Sequence, residues 1–214
     1  MIHYEKLGIF LSKPLALVVV FIYLLQSGVA VYLVSEKYSL EQQIVFQQGR
    51  ITELEEKLQV FKAIDDFQIG FNDEEVMSLT EVIYSESKRY QYDPLFILAI
   101  ILTESSFKKG QKSHVGARGL MQVVPFVGKD LATRTEVDWQ GSETLFEPVA
   151  NIKLGTLHLF EQVLKFGDIK RALAAYNMGE TRLRGIMRQD KPIPQVYINK
   201  VLRYYEMLKE TYRV

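Results

Sequence analysis

The sequence predicts a mainly α-helical protein: a globular helical domain behind an N-terminal membrane span and a helical stalk. Three observations carry this. No charged side chain occurs across residues 14–35. Helix start and stop signals recur through the remainder. Patterns that alternate apolar and polar residues, as half-buried strands do, are almost absent. The bulk composition, 48% apolar, 24% charged and 12% aromatic, is that of a folding chain, not a disordered one. Lys and Arg total 26 and so do Asp and Glu, so the basic stripe that nucleic-acid binding needs is not indicated. With no cysteine, a disulfide framework, a thiolate metal site, a cysteine nucleophile and a lipidated N-terminal cysteine are excluded.

Residues 15–25 read LALVVVFIYLL, almost unbroken hydrocarbon. The 22 uncharged residues from 14 to 35 make a helix of roughly 33 Å, the apolar thickness of a bilayer. Gln26, Ser27 and Gly28 weaken the middle, and residues 29–34 resume the run. The rival is a cleaved signal peptide with Lys6 and Lys13 before the apolar core and Gly28-Val29-Ala30 as the cleavage site,. Apolar residues continue through Val31, Tyr32, Leu33 and Val34, which favours an uncleaved anchor. Lys6, Lys13 and the amino terminus lie on one flank, while Glu36, Lys37 and Glu41 share the other. That bias predicts residues 1–13 in the cytoplasm, a single span of the cytoplasmic (inner) membrane over 14–35, and the rest of the chain on the periplasmic or extracytoplasmic side.

Residues 36–70 form a proline-free polar stretch, predicted as a helical stalk. Ile44, Ile51, Leu54, Leu58 and Phe61 follow the spacing of a heptad seam,. The register fails at Gln47 or Gln48 and again at Asp65, leaving about two good heptads. Two readings stay open: a homodimer through a short coiled coil, or a monomeric stalk that lays its stripe on the following domain. Gly70, Phe71 and Asn72 mark the break.

Residues 71–214 read as one helical domain. Asn72 and Glu75 make a capping-box pattern ahead of an apolar stripe at Val76, Leu79, Val82, Ile83 and Tyr90,. Asp93-Pro94 pairs an N-cap acid with a first-turn proline,. Pro148 opens a long helix that Gly167 ends, Asp168 caps the next, and Gly179 stops that one,. A final helix is expected over 195–212. Residues 115–117 and the 135–145 region could hold a small hairpin.

The segment after Asp93 reads PLFILAIILT, apolar around nearly its whole circumference, and then reaches Glu104. A carboxylate at the C-terminal end of a buried helix loses hydration and meets the negative end of the macrodipole. Both raise its pKa, which suits a general acid. The plain alternative is a surface acid paired with Lys108 or Lys109. Downstream, SHVGARGLMQ (113–122) combines two glycines with Gln122, whose amide suits sugar hydroxyls,. AAYNMG (174–179) places a phenol and an amide at a helix end. Each has a local structural reading too: turn glycines, or an asparagine C-cap.

Taken in order, YDPLFILAIILTESSF (92–107), SHVGARGLMQVVP (113–125), LFEPVANIKLG (145–155) and AYNMG (175–179) resemble the catalytic domain of lytic transglycosylases of the soluble type, in glycoside hydrolase family 23, which has a lysozyme-like fold. The resemblance covers about residues 80–208. It implies Glu104 as the sole catalytic acid and base, with Ser105, Ser113, Gln122, Tyr176 and Asn177 lining the glycan groove. Tyr197 resembles the family's tyrosine that hydrogen-bonds the glutamate. Gly116, Gly119, Pro125, Asn151 and Gly155 resemble scaffold. The chain departs from the family where a second glycine would follow AYNMG (Glu180-Thr181 stand there), in lacking an acid before Tyr197, and at His158, where tyrosine is commoner. The implied reaction cleaves the β-1,4 bond between N-acetylmuramic acid and N-acetylglucosamine in peptidoglycan and closes a 1,6-anhydro ring, with no cofactor and no metal. A hydrolytic muramidase on the same fold and a non-catalytic wall-binding or assembly protein are the alternatives. A second carboxylate from Glu86, Asp130 or Glu147 stays open on sequence alone.

Overall fold

The computed structural model describes residues 12–212. The expected cytoplasmic N-terminus, apart from Ser12 and Lys13, lies outside the described residues. The chain divides into two compact units, 1–52 and 53–214.

The first unit is built from helix α1 (Lys13–Phe67), which runs on into the second. Leu17, Phe21 and Leu24 are exposed, and this one helix is long and apolar enough to cross a membrane.

The second unit takes in the end of α1, so it begins before Gly70. Val60, Ala63 and Ile64 are buried in its core. Lys57 pairs with Glu81 at 2.8 Å and Lys88 with Glu56 at 2.6 Å, tying this end of α1 to α2 (Asp73–Arg89). The expected capping box is present at α2: Glu75 N–H donates to Asn72 Oδ1 at 2.9 Å, and Asn72 N–H to Glu75 Oε2 at 3.1 Å. Helix α3 (Pro94–Ser105) is the centre of the unit. Every residue from 94 to 102 is buried, enclosed chiefly by α8 (Val196–Tyr212) and α2. Asp93 caps α3 by accepting from Leu95 N–H at 3.0 Å and also accepts the Tyr205 hydroxyl of α8 at 2.8 Å. A sequence-local cap is thereby also a tertiary tie.

The remaining helices are α4 (Pro125–Ala132), α5 (Pro148–Phe166), α6 (Ile169–Met178) and α7 (Glu180–Arg188). Gly167 ends α5 at φ +67°, and Asp168 caps α6 by accepting from Arg171 N–H. The hairpin that the sequence allows does not form. Among the described residues, 112–123 contribute only isolated bridges, Lys112 with Arg118 and Arg118 with Val123. The 135–145 region leads into a 3-10 turn, Ser142–Phe146. Two glycines and one loop-closing amide explain why. Asn151 of α5, fully buried, accepts from Met121 N–H at 2.7 Å and donates to Arg118 O at 2.8 Å and Leu145 O at 2.9 Å. A Cβ at Gly119 would sit 2.2 Å from Leu145 O, and one at Gly155 would sit 2.6 Å from Met121. The loop is thus held against α5.

Candidate active site

Glu104 sits in the last turn of α3, just before two consecutive non-glycine residues with positive φ, Ser106 (+51°) and Phe107 (+58°). Such strain persists only where the surroundings impose it. Here the fully buried Phe107 ring packs edge-on against Phe71, with centroids 6.4 Å apart. The turn therefore stops α3 at a fixed point and leaves the Glu104 side chain beside α8. The Tyr197 hydroxyl donates to Glu104 Oε1 at 2.6 Å. Burial pushes the Glu104 carboxyl up to about 7, while the Tyr197 hydrogen bond and the charge of Lys200 oppose the rise,. The negative end of the α3 dipole acts in the direction of burial. The surface-acid alternative fails, because the Glu104 carboxyl is held by Tyr197 inside a cavity, while Lys109 pairs with Glu75.

Glu104 lines a cavity of about 330 Å³ together with Thr103, Asn177, Met178, Tyr197 and Lys200. Asn177, at the end of α6, is exposed and makes no side-chain hydrogen bond among the described residues. Among the described residues, no second carboxylate lines this cavity. Glu86 lines a separate and larger space of about 770 Å³ with Arg89, Arg134 and Lys153. Glu147 lies at a third, and Asp130 pairs with Arg134 at 2.5 Å. The larger cavity contains none of the residues expected at the site.

Tyr176 is brought close enough that the Glu104 charge helps hold its phenol well above the usual tyrosine range, after burial. Its hydroxyl is engaged structurally, donating to Met121 O at 2.7 Å, so it ties α6 to the 113–123 loop. The His158 ring lies against it at a tilt, ring centroids 5.1 Å apart. Burial lowers the imidazole to about 4, so it is neutral.

Three expected groove residues are placed otherwise. Ser105 is buried and donates to Ile101 O at 3.1 Å, in the manner of a helix serine,. Ser113 Oγ accepts from Ala117 N–H at 3.0 Å. The Gln122 amide donates to Gly119 O at 2.8 Å and Gln111 O at 3.2 Å. None of the three, nor Tyr176, lines the Glu104 cavity. Lys200 escapes sequence reasoning, yet it lies one turn after Tyr197 on α8 and therefore on the same face. Its Nζ donates to Thr103 O at 3.1 Å, satisfying a carbonyl at the C-terminus of α3. The departure at Glu180-Thr181 also has a local use: Glu180 opens α7 and pairs with Lys165 at 2.8 Å and Arg184 at 2.9 Å.

Among the described residues, no group of three or more His, Asp and Glu side chains could hold a metal ion. The arrangement offers one carboxyl whose pKa is raised by burial, a phenol that donates to it, and an amide that lines the same cavity.

Comparison with known proteins gives a consistent picture. Residues 81–195 match the transglycosylase SLT domain family. The chain is 34% identical over 143 residues to the membrane-bound lytic murein transglycosylase C of Histophilus somni, covering 62% of this chain and 38% of that protein. It is 35% identical over 99 residues to the transglycosylase of Enterobacteria phage PRD1, covering 46% and 34%. The chain thus spans well under half the length of these relatives. Among solved structures, the lytic transglycosylase Slt of Pseudomonas aeruginosa, determined as an inactive Glu-to-Gln mutant, aligns with TM-score 0.54 and 26% identity, covering 61% of this chain and 24% of that one. The 70 kDa soluble lytic transglycosylase of Escherichia coli aligns with TM-score 0.54 and 25% identity, again over 61% and 24%.

Proposed function

Because this chain belongs to the transglycosylase SLT domain family, we propose that it is a membrane-anchored peptidoglycan lytic transglycosylase with Glu104 as its only catalytic acid and base. The observation that carries the reading is the Glu104–Tyr197 pair in a cavity without a second carboxylate. Glycosidases that use two carboxyl groups divide proton donation and nucleophilic attack, or water activation, between them. Here one group performs both proton transfers. Glu104, protonated near neutral pH, gives its proton to the glycosidic oxygen, and the C1–O bond breaks to free the N-acetylglucosamine 4-hydroxyl. The N-acetyl group of the muramyl residue stabilises the positive centre. Glu104, now a carboxylate, removes the proton from the muramyl 6-hydroxyl as that oxygen bonds to C1. The 1,6-anhydro ring closes, no water is consumed, and Glu104 regains its proton. Tyr197 holds Oε1 in place through both transfers, and Asn177 contacts the sugar. Ser113, Gln122 and Tyr176 shape the loop beside the cleft, and Ser105 the helix end.

The apolar half of α1 supplies the anchor, with the N-terminus inside and the 53–214 unit on the side where the wall lies. The membrane-bound relative in Histophilus somni supports anchoring, and the inactive Glu-to-Gln mutant of the Pseudomonas protein supports a glutamate as the essential acid. Digestion of purified wall in heavy-oxygen water tests the chemistry. Anhydro-muramic ends without label are expected, and their loss in Glu104→Gln. Labelled reducing ends would establish the muramidase reading instead, and undiminished digestion by Glu104→Gln would remove Glu104 from the mechanism. Retention of the full chain in carbonate-washed membranes tests the anchor.

A further inference from the structure

Helix α1 carries an apolar seam that its own compact units leave open. Leu40, Ile44, Ile51, Leu54 and Leu58 are all exposed, Ile44 at 66% and Leu58 at 51%. Because α1 is one unbroken helix through Gln47, the a/d stepping continues past that position, with a polar residue at the seam there. Leu40, Ile44, Gln47, Ile51, Leu54 and Leu58 step by four, three, four, three and four, and so occupy alternating d and a positions,. The α1 residues buried in the second unit, Val60, Ala63 and Ile64, fall at c, f and g of the same register. The seam and the packed face are therefore different sides of the helix. Phe61, the next d residue, packs partly against the core and ends the seam.

We propose that this seam is a homotypic interface: residues 40–58 pair with the same residues of a second copy of the chain as a parallel, in-register, two-stranded coiled coil. Three features select that occupant. Ile at both central a positions with Leu at the flanking d positions is the combination that favours two parallel strands. In parallel register Arg50 at g faces Glu55 at e of the second copy, twice by symmetry, which places opposite charges across the seam. Gln47 at d meets its own counterpart, and a buried amide pair is satisfied only in register, so it fixes alignment at some cost in stability. The anchor reading adds only a higher effective concentration, because two copies in one membrane already point the same way.

The chain contains no cysteine, so single-cysteine variants of the full-length protein in membranes report the pairing directly. Under mild oxidation Leu40→Cys, Gln47→Cys and Leu54→Cys should each give about tenfold more disulfide dimer than Gln42→Cys, which lies at f, away from the seam. Equal yields at all four positions would mean random collision and would overturn the interface. Cross-linking at 47 without 40 and 54 would overturn the parallel sense. Arg50→Glu should weaken dimerisation about fivefold at low salt, and adding Glu55→Arg should restore it. Absence of restoration would overturn the register. None of these readouts depends on wall digestion, so failure here and failure of the catalytic reading are separable.

Discussion

Two apolar helices in this chain meet opposite ends. The first part of α1 and the whole of α3 are both almost pure hydrocarbon, yet Leu17 is 71% exposed while Ile97, Ile100 and Ile101 are 0% exposed. Apolar composition states that a helix must leave water and says nothing about which medium receives it. Length decides. The 12 residues of α3 extend about 18 Å, too short for a bilayer, so other helices of the same chain must enclose it. Residues 14–35 are long enough to be enclosed by lipid. The two runs also end differently: α1 continues into a polar stalk, whereas α3 delivers a carboxylate directly into the low-dielectric region that its own burial created.

The contrast can be broken by applying one substitution to both helices. Leu98→Ala in α3 should cost about 2–5 kcal/mol in urea unfolding of the full chain in detergent. Leu24→Ala should change it by less than about 0.5 kcal/mol. Equal losses would mean that α1 is also a core helix. The carboxylate end of α3 is sharpened next. Tyr197→Phe should lower kcat/KM about 100-fold in a folded protein, because the acid is no longer held in line. It should also move the alkaline limb of the pH–rate profile upward, since the lost hydrogen bond favours the charged form. An unchanged profile would remove Tyr197 from the site.

Stability should carry a signature of the buried acid. Folded Glu104 holds its proton to about pH 7, whereas an unfolded glutamate releases it near 4.3. The folded state therefore binds more protons between those values, and stability falls as pH rises through that window. Glu104→Gln should be no more stable than wild type at pH 4 and roughly 1–2 kcal/mol more stable at pH 8, allowing for partial solvent screening. Denaturation at the two pH values measures this. A constant difference between the two proteins at both would show that Glu104 is not buried as an acid. The smallest effect belongs to Lys200→Met: loss of a nearby cation raises the Glu104 pKa, so the alkaline limb should rise by less than about one pH unit, and less still in high salt.

The legible parts of this molecule are those with a local cause. The caps at Asn72, Asp93 and Asp168, the glycine stop at Gly167 and the buried character of α3 each arise from a few neighbouring residues. Glu104 is legible because a carboxyl at the end of an apolar helix conflicts with its surroundings, and such conflicts cluster at functional sites. Ser105, Ser113 and Gln122 are ambiguous in the sequence because a hydroxyl or amide beside a glycine-rich loop serves local turn hydrogen bonds as readily as a ligand, and only the folded chain shows the local partners they take. Lys200 gives no signal beyond its spacing from Tyr197, since its partner carbonyl lies 97 residues away.

By itself, the sequence determined the helical class, the long apolar run and the acid at the end of α3, because periodicity, length and burial act along the chain. Only the tertiary structure decided that the Glu104 carboxyl accepts from Tyr197 of α8 inside a cavity instead of meeting a surface lysine, that Asn151 ties the 113–123 loop to α5, and that Val60, Ala63 and Ile64 are the residues of α1 that pack into the core. Those outcomes rest on contacts between distant segments, and a hydrogen bond across such a separation leaves no periodic trace in the residues between.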